Sequence, residues 1–119
     1  MDERREIIAN LVTELKRGTL VLDVLSQVSK PVYGYALVQD LAQKGIETEA
    51  NTLYPLLRRL EKQKLLMSEW ETSSGKPRKY YVRTPMGTRV YEELAREWTD
   101  MVSKVNALLG KGEGYEQRK

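Results

Sequence analysis

The stretch 51-NTLYPLLRRLEK-62 decides which fold this chain can adopt. Its four leucines follow the i, i+3, i+4, i+7 spacing that places side chains on one face of a helix. The opposite face and its flanks carry the polar and cationic residues, which are Asn51, Thr52, Tyr54, Pro55, Arg58, Arg59 and Lys62. The pattern predicts a helix that packs on one side and presents a cationic surface, without an acidic residue at its centre, on the other.

Pro55 limits where this helix can begin. A proline inside a helix removes one backbone donor and clashes with the preceding turn, at a cost of about 3 kcal/mol. A late start near Ala50 or Asn51, with Asn51 as the N-cap, places Pro55 in or just past the first turn and reduces that cost. A kink at Pro55 is the alternative, and the sequence leaves both open.

Three further helices are predicted before this stretch. The first carries apolar residues at helical spacing from Ile7 to Leu15, and Gly18 either breaks or kinks it. Thr19 can cap the second helix, which is apolar on most sides and is predicted to be the buried centre of the domain. The third helix is predicted over residues 34–43, because Gly45 suits the left-handed position that ends a helix.

A β-hairpin is predicted after residue 62. Residues 66–71 and 78–84 are the candidate strands, since turn residues separate them and the second is rich in β-forming side chains. Residues 72–84 contain no acidic side chain but hold four basic ones, which are Lys76, Arg78, Lys79 and Arg83. We therefore expect the hairpin to be an electropositive arm.

The last helix is predicted to begin at Thr84-Pro85 and to run to about Leu109. Two apolar rows run along it with alternating four- and three-residue spacing, which is wider than one packing stripe needs. The pattern predicts contact with the N-terminal helix on one side and with a second chain on the other. The expected organisation is a first domain over residues 1–84, a dimerisation helix over residues 85–109 and a disordered tail over residues 110–119.

Composition excludes most catalytic chemistry. The chain has 119 residues, the size of one domain, and contains no histidine and no cysteine. Cys/His zinc sites, histidine-based triads and thiolate nucleophiles are therefore excluded, and we expect no enzyme, no metal and no cofactor. The sequence also lacks a membrane-length apolar run and a secretory leader, so we expect a cytoplasmic protein with no membrane partner.

The order of elements and the charge distribution together favour DNA binding. Residues 17–84 carry eleven basic and seven acidic side chains, whereas the segments on both sides are close to neutral. A mainly α-helical chain with a small β-hairpin after its helix-turn-helix predicts a winged helix, whose second helix of the pair enters the major groove. The predicted DNA-binding face therefore consists of the helix around residues 51–62 and the hairpin wing.

Each predicted contact follows from side-chain chemistry. Arg58 suits guanine and Asn51 suits adenine, because each can form two hydrogen bonds with that base. Phosphate contacts are predicted for the remaining residues of the helix and for the wing, namely Thr52, Tyr54, Arg59, Lys62, Lys76, Arg78 and Lys79. These contacts would position the protein without reading sequence.

Other interpretations of the same residues compete with DNA binding. A cationic helix face opposite leucines is often only a solvated face. A winged helix can also serve as a protein-interaction module, but this use requires an apolar patch where Asn51, Arg58 and Lys62 stand. A third alternative is a protein whose main task is to sequester a small ligand.

Five segments resemble the PadR family of transcriptional regulators. They are 17-RGTL-20, 32-VYGYAL-37, 51-NTLYPLLRRLE-61, 75-GKPRKYY-81 and 84-TPMG-87, in the order and spacing of the family. The resemblance covers about residues 18–87 and implies a bacterial winged-helix repressor that binds a pseudo-palindromic operator on double-stranded DNA as a homodimer. The single helix after the wing resembles the short branch of the family. One departure is 63-QKL-65, where the family often has glycine.

The resemblance also implies roles for individual residues. Tyr35 matches a position at the rim of the helix-turn-helix near the DNA backbone, and Tyr54 matches a phosphate contact. Family dimers form mainly through the C-terminal helix with help from the N-terminal one. The implied interface is Ile8, Leu94, Trp98, Met101, Val102, Val105 and Leu108.

Family members respond to phenolic acids or to flat, often cationic drugs, which implies a small aromatic or phenolic effector. Trp98 matches the tryptophan that can stack such compounds near the dimer axis. The alternative is that Trp98 only fills the dimer seam. Trp70, on the first strand of the wing, is expected to be a packing residue.

Overall fold

The computed structural model describes residues 2–111. Its elements, in chain order, are α1 (Glu3–Arg17), α2 (Leu20–Ser26), β1 (Val32–Tyr33), α3 (Gly34–Gln43), α4 (Ala50–Lys62), β2 (Leu66–Glu71), β3 (Arg78–Arg83) and α5 (Pro85–Leu108). The predicted fold class, mainly α-helical with a small β-hairpin, is confirmed, and a short third strand extends the hairpin to an antiparallel sheet. Part of the predicted disordered tail, residues 112–119, lies outside the described residues.

Helix α4 begins late, at Ala50, which is one of the two alternatives that Pro55 left open. Its N-cap residue is Glu49, which makes no side-chain capping hydrogen bond, so the prediction that Asn51 is the cap is wrong. Pro55 lies in the second turn, where the absent N–H leaves the Asn51 carbonyl without its partner in the helix. Pro55 is exposed, so water can reach this part of the helix.

Helices α3 and α4 end in the same way. Gly45 has a φ of 92°, and the Ile46 N–H donates to the Leu41 carbonyl at 2.8 Å. After α4, Lys64 occupies the equivalent left-handed position with a φ of 66°, and the Leu65 N–H donates to the Leu60 carbonyl at 2.9 Å. Lys64 therefore takes a left-handed backbone conformation that favours glycine, in the same turn where the family often has glycine.

The sheet has three strands in the order β1-β3-β2, and all pairs are antiparallel. Both strands of the hairpin were predicted, with β3 ending at Arg83, one residue earlier than expected. Strand β1 was missed because its two residues are too few for an alternating pattern. It pairs Val32 with Tyr81 and Tyr33 with Tyr80, which connects the start of α3 to the wing.

The hydrophobic core lies where α2, α3 and α4 meet the sheet. Its buried residues are Val24, Leu25, Val28, Leu37, Leu41, Leu53, Leu56, Leu57, Leu60, Leu65, Leu66 and Tyr81. Helix α2 is central, as predicted, although Thr19 makes no side-chain capping hydrogen bond at its start. The Thr19 hydroxyl donates instead to the Lys16 carbonyl at 3.1 Å.

Arg83 belongs to this core region and not to the electropositive arm. Its Nη1 donates to the Leu25 carbonyl at 2.7 Å, and its Nε donates to the Thr88 hydroxyl at 3.2 Å. Its guanidinium lies 4.5 Å from the centre of the Tyr91 ring. The prediction that Arg83 adds charge to the arm is therefore wrong, because Arg83 ties β3 to α2 and α5.

Helix α5 begins at Pro85, as predicted, with Thr84 as a cap that accepts from the Gly87 N–H at 2.9 Å. It packs against α2 and β3. The predicted packing of α1 against α5 within one chain is wrong, because no residue of α1 is buried and its apolar side chains are exposed. Gly18 and Thr19 separate α1 from α2 as a short turn, which settles the choice between a break and a kink in favour of a break.

No helix within residues 2–111 has the length and apolar character needed to cross a membrane. In the same part of the chain, no group of acidic side chains is arranged to hold a metal ion.

Candidate nucleic-acid interface

The outer face of α4 is the largest part of the candidate site. Its leucines are buried, whereas Asn51, Thr52, Arg58, Arg59 and Lys62 are exposed on the other side, as predicted. Among residues 2–111, no acidic side chain lies within ion-pair distance of the cations of this face. Their positive charges are therefore available to an anionic ligand.

Tyr54 lies at the edge of this face and explains the glycine between Tyr33 and Tyr35. Its ring packs over Gly34 so closely that a Cβ at position 34 would lie 2.9 Å from the Tyr54 Cε1. Burial raises the pKa of Tyr54, and the neighbouring Tyr33 raises it further. A tyrosine hydroxyl is already protonated at neutral pH, and the shift acts in the same direction, so the phenol can donate a hydrogen bond to a phosphate oxygen.

Three tyrosines connect the start of α3 to the wing. Tyr33 is central, with its ring centre 6.5 Å from that of Tyr35 and 5.9 Å from that of Tyr80. The Arg78 guanidinium lies 5.2 Å from the centre of the Tyr33 ring. Tyr35 itself is 53% exposed at the start of α3, the rim of the helix-turn-helix.

The wing loop is shaped by hydrogen bonds to Glu71. The Ser73 and Ser74 hydroxyls both donate to its carboxylate, and the bond from Ser73 is the main reason that the pKa of Glu71 is lowered. Gly75 completes the loop with a φ of 91°. Lys76 and Arg78 are exposed at this end of the wing, as predicted.

Lys79 differs from the other two predicted wing cations. Its ammonium lies 3.5 Å from the Glu61 carboxylate of α4, and its side chain is 29% exposed. It also lies 5.9 Å from the centre of the Trp70 ring and 5.4 Å from that of Tyr81. Glu61 in turn accepts a hydrogen bond of 2.5 Å from the Ser68 hydroxyl. Lys79 therefore faces α4 and joins the wing to it, in contrast to the open arm that the sequence predicted.

Trp70 is the residue that the sequence interpretation misjudged most. We expected it to pack, yet it is 61% exposed. It borders a cleft of about 320 Å³ between α4 and the wing, whose lining residues are Tyr33, Gly34, Tyr54, Arg58, Trp70, Pro77, Lys79 and Tyr81. A signal was present in the sequence, since Trp70 lies near the loop end of its strand, away from the buried Leu66.

The residues of the predicted dimer interface are found on two exposed helices. Leu94 of α5 is half-buried against the chain's own hydrophobic core, so its prediction as an interface residue is not supported. Val102 is half-buried, whereas Trp98, Met101, Val105 and Leu108 are exposed, with Trp98 at 44%. Ile8 lies on the exposed apolar face of α1. The described residues thus present an exposed apolar face on α1 and another on α5. Each face is a contiguous patch and not a single exposed apolar side chain.

Comparison with known proteins identifies the family. Residues 21–93 match the model of the transcriptional regulator PadR-like family. The chain belongs to the PadR-like family. It is 38% identical over 92 residues to Transcriptional regulator Rv3488 of Mycobacterium tuberculosis, an alignment that covers 71% of this chain and 86% of that one. The family consists of transcriptional regulators, which confirms the expectation that this protein is no enzyme.

Solved PadR structures share the fold. A PadR family transcriptional regulator from Eggerthella lenta is 54% identical, with a TM-score of 0.85, and the match covers 89% of this chain and 95% of that chain. A PadR-like transcriptional regulator from Bacillus cereus is 34% identical, with a TM-score of 0.73, and the match covers 81% and 96% respectively. The present chain is accordingly a winged-helix transcriptional regulator of the PadR-like type.

Proposed function

We propose that this PadR-like regulator is a sequence-specific DNA-binding repressor that acts in the cytoplasm. The observation that carries the proposal is the outer face of α4, where Arg58, Arg59 and Lys62 are exposed and have no acidic partner within residues 2–111. A helix with such a face beside a wing is the arrangement that winged-helix proteins place in the major groove. The same face offers no apolar patch, which disfavours a protein-interaction module as the alternative.

The proposed contacts follow the chemistry of each side chain. Arg58 and Asn51 read base edges, because each can form two hydrogen bonds with one base. Tyr35, Thr52, Tyr54, Arg59 and Lys62 bind phosphates beside the groove, and Lys76 and Arg78 extend these contacts along the wing. Lys79 contributes less than its charge suggests, because Glu61 already lies 3.5 Å from its ammonium.

We further propose that the protein acts as a homodimer through α5. The support is the exposed apolar row of Trp98, Met101, Val105 and Leu108, together with the apolar face of α1 that includes Ile8. Residues 85–109 then form the dimerisation helix, and residues 1–84 form the DNA-binding domain. Two α4 helices enter successive major grooves, so the half-sites of a pseudo-palindromic operator lie about 34 Å apart. A single monomeric species in sedimentation at micromolar concentration would contradict this assembly.

Release from DNA by a small aromatic or phenolic effector is the last part of the proposal. Its support is the half-exposed indole of Trp98 in the middle of the apolar row of α5. In a dimer, two such indoles can offer flat faces to a planar compound, and stacking contributes on the order of 1 kcal/mol beyond burial. A protein that only sequesters such a ligand would lack any need for the exposed cations of α4.

Arginine substitutions test the DNA-binding proposal. We expect Arg58→Ala to reduce the preference for the operator over a scrambled duplex by roughly 10-fold or more, because one bidentate base contact discriminates by about 1–3 kcal/mol. Lys76→Ala should weaken binding to both duplexes equally and lower the salt dependence of log K by about 0.9. Both effects are measured by fluorescence anisotropy across a salt series.

Arg89→Ala is the matched control, because Arg89 is an exposed arginine on α5 and its replacement removes the same charge. It should leave the preference between the two duplexes unchanged. If Arg58→Ala also left affinity and preference unchanged, α4 would not be the recognition helix.

A further inference from the structure

The cleft between α4 and the wing contains one prominent residue, Trp70, that the proposed DNA contacts leave unused. We propose that this cleft binds one deoxyribose–phosphate unit of the operator backbone and that the Trp70 indole packs against the sugar. The proposal rests on the proposed function, since it takes double-stranded DNA as the ligand. It adds a defined backbone site between the recognition helix and the wing.

The strand register places Trp70 on the side of the wing that faces α4. Side chains two residues apart on a strand share a face, so Leu66, Ser68 and Trp70 form one row. Leu66 is buried in the core, the Ser68 hydroxyl donates to Glu61 of α4 at 2.5 Å, and Trp70 is 61% exposed. The row therefore starts in the core and ends with a largely uncovered indole beside the recognition helix. A large apolar side chain in this position indicates a contact surface, because packing would have covered it.

The cleft offers the two kinds of contact that a sugar–phosphate unit needs. The rings of Tyr54, Tyr81 and Trp70 form apolar walls around a volume of about 320 Å³. Arg58 and Lys79 bring two cations to the same cleft, and the Lys79 ammonium lies 5.9 Å from the centre of the Trp70 ring. A phosphate can pair with the Lys79 ammonium while the apolar side of the attached deoxyribose lies on the indole, and Arg58 adds positive charge at the cleft edge.

The Lys79–Glu61 pair fits this occupant. At 3.5 Å, with both side chains about one-third exposed, the pair is weakly held and a phosphate can exchange for the carboxylate. Arg58 has no acidic residue of the described chain within ion-pair distance, so its positive charge favours a phosphate in the cleft while its guanidinium contacts a base. Since Arg58 also belongs to the outer face of α4, the cleft is continuous with the proposed DNA surface. This continuity is why the operator backbone, rather than a free anion, is the proposed occupant.

Tryptophan fluorescence tests the site directly, because the chain has only two tryptophans. The Trp98→Phe protein retains Trp70 as its sole indole, and the Trp70→Phe protein retains Trp98. Each is titrated with a duplex taken from the DNA upstream of its own gene. We expect the emission of the Trp98→Phe protein to change with saturation of binding and the emission of the Trp70→Phe protein to stay nearly constant.

Affinity measurements supply the second readout. We expect Trp70→Ala to weaken operator binding on the order of 10-fold, with an unchanged slope against log salt, because an indole releases no counterions. Met67→Ala is the matched control, since Met67 is 55% exposed on the opposite face of the same strand. It should bind the duplex like the unsubstituted protein. Thermal unfolding verifies that both variants are folded, and Trp70→Phe, which keeps a smaller ring, should lose less affinity than Trp70→Ala.

The outcomes separate this proposal from the proposed function. If the unsubstituted protein binds no duplex even at low salt, the proposed function fails and the cleft has no DNA ligand. If it binds while Trp70→Ala binds within two-fold and Trp70 emission stays constant, the cleft proposal is overturned and the function stands. A lower salt slope in Trp70→Ala would also overturn it, since Trp70 would then act by holding Lys79 rather than by contacting the sugar.

Discussion

Replacement of Gly87 by alanine tests the joint between the wing and α5. Gly87 is buried in the first turn of α5, directly against the backbone that leads from α4 into β2. A Cβ at this position would lie 2.0 Å from the Leu65 carbonyl oxygen and 2.9 Å from its carbonyl carbon. Ordinary contacts begin at 3.4 Å, so the two backbone segments must separate by about 1.4 Å. No side-chain rotation can relieve the clash, because both partners are main chain.

The magnitude follows from what this separation disrupts. The Thr84 N–H donates to the Leu65 carbonyl at 3.0 Å, and the Thr84 hydroxyl donates to the Lys64 carbonyl at 2.7 Å. Loss of these two hydrogen bonds reduces the free energy of unfolding by about 1 kcal/mol each. Overpacking adds roughly 1–3 kcal/mol. We expect Gly87→Ala to destabilise the protein by about 3–5 kcal/mol in total.

Urea unfolding followed by circular dichroism at one fixed protomer concentration measures this loss. Gly18→Ala is the matched control, because Gly18 has a helical φ of −67° and its added Cβ would meet only the Leu15 carbonyl oxygen at 3.7 Å. Alanine should there be neutral or stabilising by up to about 1 kcal/mol. A loss below about 1 kcal/mol for Gly87→Ala would refute the argument, since it would mean that the joint can open without cost.

Two further predictions concern the turn after α4 and the indole of α5. Lys64→Gly should stabilise the protein by about 0.5–1 kcal/mol, because glycine adopts the φ of 66° found at this position without strain. The control Lys64→Ala should bring no such gain. Equal urea midpoints for the two variants would show that the φ at this position carries no strain. Trp98→Ala should abolish the quenching of protein fluorescence by planar aromatic compounds while leaving operator binding measurable. If quenching persisted in this variant, the effector site would not include the indole of α5.

Much of the fold follows from local sequence signals. The leucine spacing of α4, the Thr84-Pro85 start of α5 and Gly45 at the end of α3 each depend on contacts within a few residues, and the structure has all three features. Strand β1 could not be predicted, because two residues carry no period and their pairing with β3 joins segments far apart in the chain. The left-handed Lys64 could not be predicted either, since lysine carries no local preference for that conformation.

The exposed side chains of the candidate site could be predicted on α4 but only in part on the wing. On a helix, the faces follow from spacing alone, so Arg58, Arg59 and Lys62 were assigned to the exposed side correctly. On a short hairpin, the direction of a side chain depends on which face of the sheet α4 covers, and the sequence does not state this. Arg83 and Lys79 share the covered face with Tyr81, and both therefore point away from the open arm.

The directions of the wing side chains determine how many of the wing's positive charges can bind DNA phosphates. The hairpin has four basic residues after Glu71, and a count from sequence assigns all of them to the salt dependence of binding. Arg83 donates to the Leu25 carbonyl at 2.7 Å and to the Thr88 hydroxyl at 3.2 Å, so a phosphate would gain this guanidinium only at the cost of these bonds. Lys79 can reach a phosphate only by leaving Glu61, so its gain is reduced by the ion pair that it loses. Of the four wing cations, only Lys76 and Arg78 can bind a phosphate without giving up a close ion pair or a hydrogen bond within the fold, and the wing therefore contributes about half of the counterion release that its sequence suggests.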